Sequence, residues 1–338
     1  MVYINNILIT VIVAVKNEER FIEKCLISLI NQDFAQDLYQ IVVVDGRSTD
    51  RTMDIVEEYI KKYPDLIKVY DNPMEWQAVG RNIAIQNEKE SELITYLDGH
   101  CIADSQWLRT LFNDFQAHDN PKFAGVGSLH LSPDDESTIG KSIEQIFHTL
   151  FGGIGSSFRP TVIRGEVETV PFVLFKREAL EDVGLYEEDM KVGEDFTLSY
   201  KLRSAGYKLF INPKAIVYRY NRNSFYSFLI QIYNYGIAKA ISGKKFPHSL
   251  SVYHYLPSVL LIFLAILGVL GVYLVELRLF FYRIVLLYAG AILTSSIVTA
   301  FKKVQWTFAI IMPLLYVVEH FSYSIGFLFG IFKKGWKR

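Results

Sequence analysis

A carboxylate and an imidazole lie two residues apart at Asp98 and His100, directly after a short apolar run. The run, from Leu93 to Leu97, is rich in strand-forming residues and predicts a buried strand. Side chains two positions apart at a strand end can point to one side, and Gly99 between them allows a sharp turn or the close approach of a ligand. A carboxylate suits Mg²⁺ or Mn²⁺, and an imidazole is tolerated by Mn²⁺. The pattern therefore indicates a divalent-cation site beside a phosphate, with an ordinary strand-to-turn junction as the alternative.

Polar residues follow two earlier apolar runs in the same way. Leu8 to Val15 ends at Lys16-Asn17-Glu18, and Ile41 to Val44 ends at Asp45. Helical periodicity separates the runs, and strands that alternate with helices predict a mostly parallel α/β sheet. Ligands bind at the carboxyl ends of the strands in such sheets, so we expect these polar residues and Asp98 to share one crevice. Asp45 could also be a plain turn former.

The composition narrows the class of protein. The chain has 338 residues, of which 51% are hydrophobic, and its formal net charge of −1 provides no global field that favours nucleic acid. A mean hydropathy of +0.19 is high for a soluble enzyme, and the apolar excess lies in the last quarter of the chain. Two cysteines, Cys25 and Cys101, form neither a disulfide framework nor zinc spacing, and we expect no signal peptide.

Five segments follow one another in the chain: VIVAVKNEE, VVVDGRSTD, a GRN in a predicted helix, YLDGH and VGEDFTLSYKLRSAGYK. In this order they resemble family 2 glycosyltransferases, which have the A-type nucleotide-diphospho-sugar fold. The resemblance covers about residues 8–240, and the C-terminal HFSYSIGFLFGIF is similar to the succinoglycan β-glucosyltransferase branch. A Rossmann oxidoreductase is the alternative, but no G-x-G-x-x-G follows any predicted strand.

The resemblance implies a binding site for a UDP- or GDP-sugar. Ala14, Glu18 and Asp45 would surround the base and ribose, where a carboxylate can accept from a base N–H and from ribose hydroxyls. Arg81 lies in a helix predicted over Ala78–Gln86, and its guanidinium would bind the diphosphate. An exposed helix arginine is the alternative for Arg81.

The resemblance also implies the metal and the catalytic residues. Asp98-Gly99-His100 occupies the position of the family's Asp-x-Asp, so Asp98 and His100 would bind Mn or Mg beside the donor. Polypeptide N-acetylgalactosaminyltransferases, which look similar here, use Asp-x-His for Mn; a histidine that holds a phosphate by a hydrogen bond is the alternative. Asp195, with Glu194 beside it, would be the base that takes the acceptor hydroxyl's proton. Composition alone explains this acid pair as complementing a helix dipole.

The last third of the chain predicts membrane attachment. An aromatic-rich helix over residues 224–241 would lie in a membrane interface or pack on the catalytic domain. Tyr255 to Val275 contains 21 uncharged residues, Leu279 to Phe301 is a second span, and Thr307 to Phe332 would be a third span, a kinked helix or a re-entrant pair. Lysine pairs flank the first two spans, and the positive-inside rule places them and the catalytic domain in the cytoplasm.

These features predict four regions: a catalytic domain over residues 1–223, an interface helix and linker over 224–254, two to three spans over 255–332, and a basic tail over 333–338. Within the first region we expect a strand over Val170–Phe175 and a mobile loop from Gly152 to about Arg164. The implied activity is metal-dependent, inverting sugar transfer to a hydroxyl of a lipid-linked glycan at the cytoplasmic face. The alternatives are an inactive nucleotide-sugar-binding scaffold, a polyprenyl-phosphate glycosyltransferase, and a polymerising synthase that also exports its product.

Overall fold

The structure, a computed structural model, describes residues 7–152 and 163–336. The chain forms two compact units: Met1–Pro133 with Pro160–Tyr220, and Asp134–Arg159 with Asn221–Arg338. Residues 134–159 therefore group with the C-terminal part of the chain, whereas the sequence suggested a boundary near residue 223. Most of the loop predicted from Gly152 to about Arg164 lies outside the described residues, as do the last two residues of the basic tail.

The first unit is built on one sheet. Its strands are β1 (Ile9–Val15), β2 (Tyr39–Asp45), β3 (Ile67–Asp71), β4 (Leu93–Tyr96), β5 (Cys101–Ala103), β6 (Phe123–Leu131), β7 (Gly165–Val167), β8 (Leu174–Lys176) and β9 (Lys208–Arg219). The strand order is β3-β2-β1-β4-β8-β6-β9-β5, with β7 paired to β9. β1 to β4 pair in parallel, and the sheet is mixed beyond β4. The three strands predicted from the apolar runs before Asp98 are confirmed as β1, β2 and β4.

Some helices belong to the first unit, with the sheet, and the others form the second unit. They are α1 (Ile22–Ile30), α2 (Thr52–Lys62), α3 (Gln77–Asn87), α4 (Trp107–Gln116), α5 (Thr138–Phe147), α6 (Arg177–Asp182), α7 (Glu194–Ser204), α8 (Phe225–Lys245), α9 (Leu256–Leu270), α10 (Val275–Lys303) and α11 (Thr307–Phe332). Helices α1 to α3 return the chain between the parallel strands, so all of these strands end at the same edge of the sheet. This edge carries the predicted site residues.

The strand predicted over Val170–Phe175 is too long. Phe172 has φ 49°, in the left-handed region that a β-strand does not use. The backbone therefore turns at this residue, and only Leu174–Lys176 pairs with the neighbouring strands β4 and β6. Phe172 is nevertheless buried, so the turn lies in the core of the unit.

In the second unit, α8 packs tightly on α11. A side chain at Gly236 of α8 would collide with the Tyr323 carbonyl, and one at Gly326 of α11 would collide with the Tyr233 carbonyl. Small residues at such positions allow two helix backbones to approach closely. Lys244 donates to the carbonyl of Gly330, 2.9 Å away, at the C-terminal end of α11. The predicted amphipathic helix therefore buries one face against another helix of its own unit.

Two helices, α10 and α11, are long and apolar enough to cross a membrane, with 29 and 26 residues. Thr307–Phe332 is one helix that continues through Pro313. The first span predicted, Tyr255 to Val275, is not one long helix, because α9 ends at Leu270 and has only 15 residues. At 1.5 Å per residue it is about 22 Å long, whereas the hydrocarbon core of a bilayer is about 30 Å thick.

Candidate functional site

Arg81 lies at the centre of the predicted site. It is on the second turn of α3 and is only 1% exposed, so the alternative of an exposed helix arginine is wrong. Its guanidinium lies over the ring of Tyr96, 3.7 Å from the centroid, at the end of β4. Tyr186 lies on another side, with its ring centroid 5.2 Å away. Aromatic faces attract a cation and exclude water from it.

Three carboxylates surround this arginine. Arg81 Nη1 donates to Asp195 Oδ1 at 2.6 Å and to Glu194 Oε1 at 3.4 Å, and Nη2 donates to Asp98 Oδ1 at 3.3 Å. Glu194 and Asp195 begin α7, and Gly193 before them has φ 84°, a conformation that favours glycine. The structure thus brings four predicted site residues together: Arg81, Asp98, Glu194 and Asp195.

The charges of this cluster shift the pKa values of its members. Burial alone would lower the pKa of Arg81, but Asp195 and the neighbouring tyrosines and Glu194 raise it, so the guanidinium stays charged. Burial raises the pKa of Asp195 and outweighs the opposite effect of Arg81. Burial and the nearby Asp195 raise the pKa of Glu194 as well. Burial also opposes ionisation of Asp98, but Arg81 and His100 lower its pKa overall. Asp98 therefore favours its ionised form, whereas Asp195 has a higher proton affinity, which suits a base.

His100 is oriented by a predicted site residue. Its Nδ1 lies 3.0 Å from Glu18 Oε1. Glu18 is itself fixed, because its backbone N–H donates to Thr52 Oγ1 at 2.7 Å. Gly99 is required for this approach, since a Cβ there would lie 2.9 Å from Val15 Cγ1 and 3.1 Å from Glu18 Cγ. A carboxylate that holds one ring nitrogen of a histidine leaves the other for a ligand.

Two of the three side chains grouped at Asp98 suit a divalent cation. One ligand atom each from Asp98, His100 and Cys101 lie within 4.8 Å of one another. Burial and the nearby Asp98 raise the pKa of Cys101 well above its usual range, and a sulfur ligand suits Mn²⁺ or Mg²⁺ less well than oxygen. Asp98 and His100, by contrast, are partly exposed, and carboxylate with imidazole is a donor pair that suits Mn²⁺.

The other predicted donor-binding residues lie on neighbouring strands. Ala14 is near the end of β1 and pairs with Val44 of β2, and Asp45 is the last residue of β2. Both oxygens of Asp45 lie 3.2 Å from the backbone nitrogen of Ser48. Ala14 and Asp45 are partly exposed at the edge where the parallel strands end. Their contact with a nucleotide stays a prediction.

Sequence reasoning missed three residues of the site. Gln77 donates through Nε2 to Asp98 Oδ1, and Tyr96 and Tyr186 flank the guanidinium. Gln77 precedes Arg81 by four positions on α3, and residues at this spacing share a helix face. That spacing could have identified Gln77; no comparable signal marks Tyr186, which lies in an irregular segment before α7.

Comparisons with known proteins show which family the chain is similar to. Residues 10–184 match the model of the family described as Glycosyl transferase family 2, and residues 169–329 match that of Glycosyl transferase family group 2. The dolichyl N-acetyl-alpha-D-glucosaminyl phosphate 3-beta-D-2,3-diacetamido-2,3-dideoxy-beta-D-glucuronosyltransferase of Methanococcus voltae is 28% identical over 330 residues, 96% of this chain and 97% of the relative. The glycosyltransferase AglE of Haloferax volcanii is 23% identical over 60% of this chain and 63% of its own length.

A solved structure is similar over almost the whole chain. It is the mannosyltransferase PcManGT from Pyrobaculum calidifontis in complex with GDP-Man and Mn2+, with a TM-score of 0.60 and 21% identity. The match covers 95% of this chain and 88% of that chain. The likeness confirms the predicted fold class, an α/β nucleotide-diphospho-sugar transferase fold followed by a helical C-terminal region.

Proposed function

The chain belongs to glycosyl transferase family 2, and on this basis we propose that it moves a sugar from a nucleotide diphosphate to a hydroxyl of a lipid-linked glycan. The observation that carries the proposal is the position of Asp195, paired with Arg81 at 2.6 Å while its side chain stays 35% exposed. A carboxylate held in this way is fixed from the buried side and open to an acceptor from the other.

The proposed reaction is a single displacement at the anomeric carbon. As the acceptor oxygen forms a bond to this carbon, its proton passes to the Asp195 carboxylate, and the bond to the diphosphate oxygen breaks. The electron pair of that bond leaves with the nucleoside diphosphate, and the configuration of the sugar inverts. A positioned base contributes about 10²- to 10⁴-fold to such a step. Glu194, which is buried beside the same arginine, completes the acid pair.

Asp98 and His100 are the residues that would hold a divalent cation, Mn or Mg. When bound, the cation neutralises the charge that develops on the diphosphate leaving group. Glu18 keeps the ring of His100 in place for this role. The fit of the donor set and the Mn2+ named in the PcManGT structure support this proposal.

The donor is a UDP- or GDP-sugar in this proposal. Ala14 and Asp45 lie at the ends of the two strands next to each other in the sheet, where they would contact the base and ribose. The carboxylate of Asp45 can accept hydrogen bonds from both. The sequence motif also assigned Glu18 to the nucleotide, but its contact with His100 favours a role beside the cation instead.

The acceptor class follows from the need for a base. A polyprenyl phosphate oxygen is already ionised, whereas a sugar hydroxyl needs a group that removes its proton. The name of the Methanococcus voltae relative gives a dolichyl N-acetylglucosaminyl phosphate, a sugar carried on a lipid phosphate. We therefore favour a hydroxyl of a lipid-linked sugar over bare polyprenyl phosphate, within the assembly of a polysaccharide, glycolipid or glycoprotein glycan.

The C-terminal helices would anchor the enzyme in the membrane that holds this acceptor. Side chains such as Leu286, Leu287 and Ile310 are more than half exposed on α10 and α11. Contiguous exposed apolar surface of this kind marks an interaction with lipid or protein. By the positive-inside rule, Lys302 and Lys303 favour the cytoplasmic side for the C-terminal end of α10, whereas Lys244 of α8 lies at the other end of α11, beside Gly330.

The experiment that tests this function measures release of nucleoside diphosphate. The purified full chain in detergent is incubated with Mn²⁺, a panel of UDP- and GDP-sugars, and polyprenyl phosphate carrying N-acetylglucosamine. We expect release with one donor and a lipid product that gains one sugar in mass. Donor binding without release or product would instead support the inactive scaffold.

A further inference from the structure

The surroundings of Arg81 leave little surface for a diphosphate. Its side chain is 2% exposed, and its two terminal nitrogens already donate to Asp98, Glu194 and Asp195. The rings of Tyr96 and Tyr186 lie against the guanidinium. An arginine this buried, with three carboxylate partners from the protein, offers little surface to a ligand, so its main role is to hold those partners in place.

The next residue on α3 reinforces the same connection. Asn82 Nδ2 donates to the carbonyl of Tyr186 at 2.9 Å and to Glu188 Oε1 at 3.1 Å, while Asn82 Oδ1 accepts from the backbone N–H of Tyr186 at 3.0 Å. The amide is thus paired on both sides with the segment that leads into α7. Asn82 is buried, so its two bonds to the backbone of Tyr186 are shielded from water.

A residue of α7 also binds this segment directly. Lys201 of α7 donates to the carbonyl of Leu185 at 2.8 Å and to Glu187 Oε1 at 2.7 Å. The acid pair at the start of α7 is therefore held by two consecutive residues of α3, one through charge and one through its amide. A base must stay within a fraction of an ångström of its working position, and a displacement of about 1 Å can cost 10²-fold in rate.

We propose that Arg81 and Asn82 form a positioning unit for the general base, and that Arg81 acts on the reaction through Asp195 and not as a ligand of the donor diphosphate. The inference rests on the proposed function, in which Asp195 takes the proton of the acceptor. The proposal gives Arg81 and Asn82 of the GRN segment a role in activating the acceptor. Because Arg81 also contacts Asp98, it sets the distance between the base and the cation site.

A double-mutant cycle between Arg81 and Asp195 tests this assignment. Arg81→Lys keeps the charge but loses the planar fork that pairs with several carboxylates at once. We expect kcat to fall by about 10²-fold, a larger factor than any loss of donor affinity measured by calorimetry with Mn²⁺. In an Asp195→Asn background the same substitution should change kcat no further, since groups that act as a unit are non-additive.

Two results would overturn the inference while leaving the proposed function standing. One is a loss of donor affinity in Arg81→Lys with kcat retained at saturating donor. The other is a slow Asp195→Asn enzyme in which Arg81→Lys multiplies the defect. An Asp195→Asn enzyme as fast as the parent would instead remove the base assignment itself, and with it both proposals.

A second pair of variants covers the case that Arg81→Lys does not fold. Asn82→Ala removes the bonds to Tyr186 but leaves the charge cluster, and should lower kcat in the parent but not in Asp195→Asn, with unchanged donor affinity. Asn87→Ala is the matched control, because Asn87 is an exposed asparagine at the end of the same helix. Parental kcat in Asn82→Ala, or a loss in Asn87→Ala of the same size as in Asn82→Ala, would contradict the proposal.

Discussion

Arg81 Nη1 lies 2.6 Å from Asp195 Oδ1, although 114 positions separate the two residues in the chain. The same guanidinium lies 3.3 Å from Asp98 on its other side. The buried guanidinium of Arg81 therefore lies between Asp98, which is assigned to the metal, and Asp195, which is assigned to the acceptor. This relationship links the two halves of the proposed transfer and leads to predictions for each.

The base can be tested by an isosteric substitution. Asp195→Asn keeps the size of the side chain and removes its ability to take a proton. We expect kcat to fall by about 10²- to 10⁴-fold, because that is the contribution of a positioned base, with nearly unchanged donor affinity. Steady-state kinetics and calorimetry measure the two quantities. Glu178→Gln is the control, since Glu178 is exposed in its ion pair with Lys176; a normal rate in Asp195→Asn would exclude the assigned role.

The pH dependence of kcat reports the environment of the base. Burial raises the pKa of Asp195, and only its ionised form accepts a proton, so kcat should fall as the pH decreases through this raised value. We expect the acidic limb at higher pH than for an ordinary aspartate, whose pKa is about 3.9. A pH–rate profile at saturating donor and acceptor measures the limb. A limb at or below pH 3.9 would contradict the prediction.

The cation site can be tested through metal binding itself. Glu18→Ala removes the partner of His100 Nδ1 while leaving both proposed ligands, and loss of such a partner typically weakens metal affinity 10- to 100-fold. Titration of the metal-free protein with Mn²⁺, followed by electron paramagnetic resonance, measures this affinity. His100→Ala should be weaker than the parent in the same assay. Parental Mn²⁺ affinity in both variants would show that the His100 ring does not serve the cation.

The sequence predicted which residues belong to this site better than it predicted the contacts between them. The ends of β1, β2 and β4, at Val15, Asp45 and Tyr96, follow from local apolar runs, and in parallel strands these ends share one edge of the sheet. The contacts of Arg81 could not be predicted, because they depend on how α3 packs against residues far away in the chain. The length of α9 was not predicted either, since no charged residue marks the end of the helix at Leu270.

Membrane orientation can be measured by labelling single cysteines in intact cells. We expect a membrane-impermeant reagent to label Leu277→Cys, near the start of α10, and not Lys303→Cys at its end, because lysines favour the cytoplasmic side. The native Cys25 and Cys101 are buried and give little background. Labelling at position 303 alone would reverse the proposed orientation.

The most direct measurement compares two acceptors in one assay. The purified chain, Mn²⁺ and the active nucleotide sugar are supplied either with polyprenyl-linked N-acetylglucosamine or with polyprenyl phosphate alone, and the lipids are analysed by mass spectrometry. The proposed function predicts one added sugar on the lipid-linked sugar, none on the bare phosphate, and loss of the product in Asp195→Asn. Efficient transfer to polyprenyl phosphate, at a rate that Asp195→Asn does not change, would contradict it.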